Sequence, residues 1–278
     1  MILAIVLGLA GGALALAAWG LFESTWVRLR TAELRVPGLP EQLDGLRIVH
    51  LSDFHLGAPS LAFVAVRRAA RWARARRPDL VVVTGDLLSR QRGLDELHAA
   101  LRGLDARLGV VAVLGNHDVS IARDPFSGPT DVGDLRPLGV ELLEDASTTR
   151  TVRGARLQIA GVSPSSYLDR TADPAGLSDP AAALRILLCH FPRVVDRFDT
   201  RPFHLTLAGH VHGGQINLPT PWGPIRLAHL RARYPEGTFG LGSGRTLVVS
   251  RGLGTTFVPF RLCCRPEAVE LRLRRADA

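Results

Sequence analysis

Aspartate, asparagine and histidine recur along this chain in five short stretches: Asp53-Phe54-His55, Gly85-Asp86, Gly115-Asn116-His117-Asp118, an isolated His190, and Gly209-His210-Val211-His212. One chemistry uses these residue types together. Two divalent ions about 3.5–4 Å apart need a shared oxygen ligand, further nitrogen and oxygen donors, and an open face for water and substrate. A carboxylate can bridge two ions, whereas imidazole and amide groups only terminate. The five stretches hold such donors in usable proportions. The absence of thiolate from the set suits Mn²⁺, Fe or Zn²⁺ rather than a soft-ligand ion.

Four of the stretches follow directly on apolar runs, 46–52, 80–84, 110–114 and 205–208. These runs are short, rich in β-branched residues and ended by glycine or polar residues, which predicts buried strands. The donors would then gather at one edge of a sheet, where α/β proteins place their sites. Asp53 and His55, like His210 and His212, are spaced by two, so an extended backbone would send each pair to one side. The glycines before Asp86, Asn116 and His210 suit tight turns that bring backbone close to an ion. Taken singly, an aspartate or histidine at a strand end is usually a turn residue or a solvated side chain. Five such stretches in this order are not explained that way.

The order D-x-H, G-D, G-N-H-D, H, G-H-x-H resembles that of the calcineurin-like metallophosphoesterases, from about Leu46 to the C-terminus. The resemblance implies that Asp53, His55 and His212 hold one ion, that Asn116, His190 and His210 hold the other, and that Asp86 bridges them. It assigns His117 to the substrate phosphate, as the group that protonates the leaving oxygen. It also implies a four-layer αββα sandwich of two mixed sheets flanked by helices, with manganese as the first choice of metal. The later segments His212-Gly213-Gly214-Gln215-Ile216, Ser250-Arg251-Gly252-Leu253-Gly254 and Cys264-Arg265-Pro266-Glu267 look most like the membrane-anchored, YkuE/YaeI-like bacterial phosphodiesterase branch. Many relatives carry an acid three residues after the bridging aspartate, where it orients the histidine. Here that position is Ser89, so either Asp118 or another acid substitutes, or His117 works with a less basic ring.

The mechanism implied is hydrolysis: a metal-activated hydroxide attacks phosphorus in line, with no covalent enzyme intermediate. The substrate class expected is a phosphodiester or pyrophosphate, lipid-linked or held at a membrane surface. The resemblance, through a related branch of the family, also implies a narrower alternative, a UDP-2,3-diacylglucosamine pyrophosphatase of lipid A synthesis. A non-enzymatic metal-bound scaffold is the alternative of another class, against which the complete ligand set and intact His117 count.

The chain of 278 residues, 46% hydrophobic, is long enough for one well-packed domain. Strand-like runs alternate with helical stretches at 61–77 and 94–108, and further strands are expected at 157–160, 185–189, 247–250 and 269–273, giving α/β layers. Residues 2–22 contain no charge, and about 20 apolar residues span a bilayer core. The small residues at 13–18 suit a cleaved signal peptide, but the positive leader such a signal needs is missing. Arg28, Arg30 and Arg35 come after the apolar stretch instead, so the positive-inside rule places the remainder on the cytoplasmic side. The expected division is a transmembrane anchor at 1–26, a linker and lead-in at 27–45 and a phosphoesterase domain at 46–278, on the inner membrane of a bacterium.

Only three cysteines occur, Cys189, Cys263 and Cys264, and they offer no disulfide framework; all three read as packing residues. The net charge is +8, carried entirely by arginine, and the cluster at 67–77 reads as the solvated face of a helix. No nucleic-acid module accompanies it, so no nucleic-acid partner is expected. The Pro/Gly-rich segment 219–240 supplies Arg231, Arg233 and Tyr234 as candidate substrate contacts, and 124–134 is a second candidate lid. His50, His98 and His204 are expected to be structural.

Overall fold

The computed structural model describes residues 1–121 and 124–276. After an N-terminal helix, α1 (Ile2–Thr25), the elements in chain order are β1 (Arg28–Pro37), β2 (Arg47–Leu51), α2 (Ala62–Arg76), β3 (Leu80–Thr84), α3 (Leu94–Arg102), β4 (Val110–Val113) and β5 (Val140–Leu142). They continue with β6 (Ala146–Val152), β7 (Ala155–Val162), α4 (Pro164–Asp169), β8 (Leu184–Cys189), α5 (Val194–Arg197) and β9 (Leu205–Ala208). The last are β10 (Asn217–Leu218), β11 (Ile225–Arg226), β12 (Gly237–Gly240), β13 (Thr246–Val249) and β14 (Glu267–Ala276).

Two six-stranded mixed sheets form, ordered β1-β14-β2-β3-β4-β5 and β12-β13-β9-β8-β7-β6. The strand alternation sorts each sheet's side chains between two cores. Ile48, Val82, Val111 and Val113 of the first sheet meet Ile186, Leu188, Leu205 and Leu207 of the second in the middle layer. Val49, Val81, Val83 and Ala112 point the other way, against α2 and α3. The helix α2 presents Ala65, Val66, Ala69, Ala70 and Ala73, a small-residue face that lies close on the sheet. On the far side, Leu187 and Cys189 pack with Tyr167 and Val194 of α4 and α5. Helices thus cover both sheets, and the four-layer α/β arrangement expected from the sequence is present.

Both sheets have runs of parallel strands, β2-β3-β4-β5 in one and β7-β8-β9-β13 in the other. Asp53, Asp86 and Asn116 follow the C-terminal ends of β2, β3 and β4; His190 and His210 follow those of β8 and β9. The face-to-face packing brings these two sets of strand ends to one rim.

The segment 27–45 is not a linker. Strand β1 pairs in parallel with β14 over its whole length, from Arg28↔Glu267 to Pro37↔Ala276. Its Leu34 and Val36 are buried in the middle core, while the intervening charged residues face outward. With its inward face made of Ala32, Leu34 and Val36 and charged residues between them, this edge strand lacked the continuous apolar run that marks its neighbours. The helix expected over 94–108 ends at Arg102, because Gly103 begins a polar turn. Arg67, Arg68, Arg71 and Arg74 of α2 are exposed as expected, whereas Arg76 and Arg47 pair with the fully buried Glu270.

In α1 only Gly20, Glu23 and Ser24 are buried; all other residues up to Trp19 are open or nearly so. The last turns of α1 are clamped to the domain. Arg261 N–H donates to the Gly20 carbonyl (3.1 Å), the backbone N–H groups of Cys263 and Cys264 donate to the Glu23 carboxylate (3.0 and 2.6 Å), and Arg68 donates to the Thr25 carbonyl (2.6 Å).

Candidate metal centre

Five of the seven donor residues sit in left-handed backbone: Asp53 (φ 53°), His55 (48°), Asp86 (53°), His210 (74°) and His212 (53°). Such conformations cost of order 1 kcal/mol or more for a residue other than glycine, and they persist where surrounding structure enforces them. The pairs spaced by two therefore do not converge through extended backbone, as the sequence suggested; they converge through consecutive tight turns. Backbone hydrogen bonds lock these turns together. Asp53 N–H donates to the Gly85 carbonyl and His55 N–H to the Asp86 carbonyl, each at 2.9 Å, while His210 and His117 donate their N–H groups to Asp53 Oδ1 and Asp86 Oδ1, also at 2.9 Å. The approach leaves no room for a Cβ at two glycines. One added to Gly115 would lie 2.1 Å from Asp86 Oδ1, and one added to Gly209 would lie 2.0 Å from Ser52 Oγ and 2.3 Å from Asp53 Oδ2.

Three overlapping donor groups result, Asp53 with His55 and His212, Asp86 with His190 and His210, and His55 with Asp86 and His117, the donor atoms within each lying within 4.8 Å of one another. His55 Nε2 and His212 Nε2 face each other at 3.0 Å, with His212 Nε2 3.4 Å from Asp53 Oδ1. His190 Nε2 is 3.1 Å from His210 Nδ1. Asp86 Oδ2 joins the clusters, 3.4 Å from His55 Nε2 and 3.1 Å from His190 Nε2. Asp53 Oδ2 and Asn116 Oδ1 are buried without any hydrogen-bond partner. Buried polar atoms without partners, and ring nitrogens turned toward one another, mark a site built for cations. The residues present fit a metal pair.

The electrostatics of three of the rings agree with that fit. Burial keeps His55 and His212 well below the usual imidazole range and pushes His210 down to about 3, so these rings are neutral and have lone pairs to offer. Burial would lower His190 too, but the charge and hydrogen bond of Asp86 carry it up to about 9. Asp86 moves the opposite way: burial raises it, and His190 and His117 outweigh that to hold it well below the usual carboxylate range. Burial raises Asp53 to about 6, with repulsion from Asp86 adding to the rise against the pull of His190.

Of the supports expected for His117, Asp118 is not the one the fold supplies. Asp118 accepts hydrogen bonds from the backbone N–H groups of Leu87, Leu88 and Gly115 at 2.8–2.9 Å, which ties the Gly-Asp turn to the Gly-Asn-His-Asp turn. Ser89 is occupied with a donor residue, its Oγ 2.9 Å from His55 Nδ1. His117 Nδ1 instead meets Ser127 Oγ at 2.7 Å, while its Nε2 lies 3.9 Å from Asp86 Oδ2. Ser127 belongs to the segment read from sequence as a lid. Arg90 donates to the Phe126 carbonyl (2.5 Å), Gly128 N–H to the Ser89 carbonyl (2.9 Å), and Thr130 Oγ1 to the His117 carbonyl (2.8 Å), so among the described residues this segment is a pinned support.

Arg261 is another residue that sequence reasoning missed. It is fully buried, and its guanidinium donates to the carbonyls of His212, Arg251, Gly254 and Cys264, which fixes the turn carrying His212. Both Nη2 hydrogens are directed at carbonyls (Arg251 O 2.8 Å, Gly254 O 2.7 Å), leaving the 3.2 Å approach to His212 Nδ1 a neighbour contact. The cysteines are all free; Cys189 and Cys264 are buried, but Cys263 is exposed rather than packed.

A cleft of about 600 Å³ opens beside His210, bounded by Phe191, Tyr167, Arg197, His229, Arg231 and Arg233 among others. Of the three residues expected to touch substrate, Arg231 and Arg233 line this cleft and are exposed. Tyr234 also lines it but is buried, and its hydroxyl donates to Asp196 (3.0 Å), which pairs with Arg233 as well (3.1 Å). The tyrosine is a strut of the wall, with no hydroxyl hydrogen to spare.

Comparison with known proteins agrees with this geometry. The calcineurin-like phosphoesterase family profile matches residues 46–214, more than half of the chain. The chain is 29% identical to the uncharacterized metallophosphoesterase YkuE of Bacillus subtilis, covering 86% of this chain and 82% of that protein. It is 28% identical to the UDP-2,3-diacylglucosamine pyrophosphatase LpxG of Chlamydia trachomatis (90% of each) and 26% identical to the phosphodiesterase YaeI of Escherichia coli (82% of each). With its paired histidine-aspartate clusters at one strand-end rim, the chain belongs to the calcineurin-like phosphoesterases and is a metal-dependent phosphoester hydrolase.

Proposed function

We propose that the chain is a membrane-anchored, two-metal phosphodiesterase or pyrophosphatase whose substrate is lipid-linked or lies at the bilayer surface. The single observation that carries the two-metal part is the position of Asp86 Oδ2 between His55 Nε2 and His190 Nε2. In this reading Asp53, His55 and His212 hold one ion, Asn116, His190 and His210 hold the other, and Asp86 bridges. Manganese is the first choice, with iron or zinc admitted by the same ligands.

A cation pair held there supplies a water of lowered pKa and neutralises charge on the phosphoryl oxygens. The chain's own residues do the rest. His117, its Nδ1 fixed by Ser127 Oγ, presents Nε2 toward the metal cluster, where it can hold a proton for the departing oxygen. Arg231 and Arg233 place positive charge in the cleft beside His210, suited to a second phosphate or another anionic group of the substrate.

The membrane part rests on α1, whose 24 residues are long and apolar enough to cross a bilayer and whose candidate span is unburied. We place it in a bacterial inner membrane with the domain on the cytoplasmic side, following the arginines at 28, 30 and 35. The relationship to LpxG favours a narrower second reading, cleavage of a UDP-2,3-diacylglucosamine pyrophosphate.

Hydrolysis of bis(p-nitrophenyl) phosphate with added Mn²⁺ tests the class. The wild type turns over, and Asp86→Ala and His117→Ala lose most of that rate. Activity in the wild type that persists in Asp86→Ala would remove the mechanism; none in the wild type would favour a metal-bound scaffold. Assaying the lipid-linked UDP pyrophosphate against simple nucleotides separates the two substrate readings.

A further inference from the structure

Apolar side chains are exposed in an uneven pattern. Outside α1 and its immediate exit, six of the ten large exposed hydrophobic residues fall in two neighbouring loops: Leu218, Trp222, Ile225, Leu227 and Leu230 on and just after the β10–β11 hairpin, and Phe257. Trp222, at the hairpin tip, is 92% exposed. Scattered single hydrophobics need no explanation, but a concentration of this kind marks a surface that meets something apolar.

The two loops are built as one unit. The Gln215 side-chain amide donates to the carbonyls of Thr256 (2.8 Å) and Val258 (3.0 Å), lies 3.2 Å from that of Phe260, and accepts at its oxygen from Thr256 N–H, which shapes the loop that carries Phe257. Asn217 N–H donates to the Leu262 carbonyl (2.9 Å), and Leu227 N–H to the Ile216 carbonyl (2.9 Å), so the hairpin stands on the same segment. That segment also grips α1: Arg261 N–H bonds the Gly20 carbonyl, and a Cβ on Gly20 would touch the Phe260 ring at 3.0 Å. Gly20 lies within the apolar helix, more than one turn before its end at Thr25. The hairpin and the Phe257 loop are therefore attached at the level where α1 leaves its apolar stretch. On its other side the hairpin runs through Leu227 and Leu230 into His229 and Arg231 of the cleft.

We propose that the β10–β11 hairpin and the Phe257 loop are a second membrane contact, inserting Trp222 and Phe257 into the leaflet that α1 enters and seating the cleft against the lipid surface. This rests on the membrane-anchored reading above. The occupant is a bilayer containing anionic lipid, for two reasons: the surface adjoins α1, among the described residues the one helix long and apolar enough to span, and exposed Arg231 at the cleft end adds positive charge toward head groups. Tryptophan at such a position matches the preference of its amphipathic ring for the interface.

The full-length chain in phosphatidylcholine/phosphatidylglycerol vesicles, with and without brominated acyl chains, gives the test. The expected result is that bromolipid quenches a component of tryptophan emission that Trp222→Phe removes, and that Phe257→Trp in that background restores a quenched component. A Trp222 component unaffected by bromolipid, while the emission left in Trp222→Phe is still quenched through Trp19, overturns the proposal and leaves the anchor standing. No quenching of any tryptophan removes the anchor and this inference together. In kinetics, Trp222→Asp should raise KM for a diacylglycerol p-nitrophenyl phosphodiester in the same vesicles about tenfold, with turnover of soluble bis(p-nitrophenyl) phosphate reporting an intact fold. Equal KM values for wild type and Trp222→Asp on the vesicle substrate contradict it.

Discussion

His117 and Ser127 show how a site can lose one expected partner and recruit another. A hydroxyl at 2.7 Å orients the imidazole but cannot stabilise its protonated form as a carboxylate would. Removing His117 should lower kcat on a phosphodiester by about 10²–10⁴-fold, the usual worth of a positioned acid. Ser127→Ala should lower it by about 2- to 10-fold, the worth of one hydrogen bond, with KM unchanged. In the double variant the serine change should add nothing, because it acts through the ring it orients. Additive losses would show that Ser127 acts independently of His117. The donors themselves were legible in the sequence, since each sits in a short stretch whose residue types have few other uses together. Ser127 was not: it lies ten residues beyond His117 in a loop with no periodicity, and only the tertiary bonds to Ser89, Arg90 and His117 place it.

Tight turns at strand ends, more than the strands themselves, set the geometry of the rim. Their donor residues adopt left-handed backbone, and the glycines beside them leave space that carboxylates fill. Gly209→Ala should displace the Asp53 carboxylate or Ser52 and cost about 10²-fold in metal-dependent turnover, since misplacement by about 1 Å can do that much. Wild-type rates in this variant would mean the turn relaxes without moving Asp53. The central strands were readable because their alternation runs between two cores. Strand β1 was not, since only Ala32, Leu34 and Val36 carry its inward face, each followed by a charged residue or proline.

At this same scale His50, inside β2, gives a pH prediction. Burial, with Arg30 adding to it, lowers its pKa from 6.5 to about 3, so the folded chain keeps the ring neutral where the unfolded chain would protonate it. The unfolded state then binds more protons between about pH 6.5 and 3, and stability falls as pH falls through that window. Relative to His50→Gln, the wild type should lose about 1.4 kcal/mol per pH unit below pH 6, measured by denaturant unfolding. A pH-independent difference would show that His50 is not kept neutral.

Across the whole molecule, two packed sheets each supply part of one centre, and the helix α1 is tied to it through a short path. Glu23 holds the backbone of Cys263 and Cys264, and Arg261 joins Gly20 to the turn that carries His212. Sequence spacing foretold that donors would meet at one rim. It did not foretell this tie, because a lone glutamate ending an apolar helix and a lone arginine in a loop have no signature until the fold brings them together.

Metal content of the full-length chain after reconstitution with Mn²⁺, determined by elemental analysis alongside Asp86→Ala, addresses the bridging carboxylate directly. The wild type should hold about two ions per chain, as a carboxylate-bridged pair requires, and Asp86→Ala should hold one or fewer. A wild type that retains none, or an Asp86→Ala variant that retains two, would contradict the account.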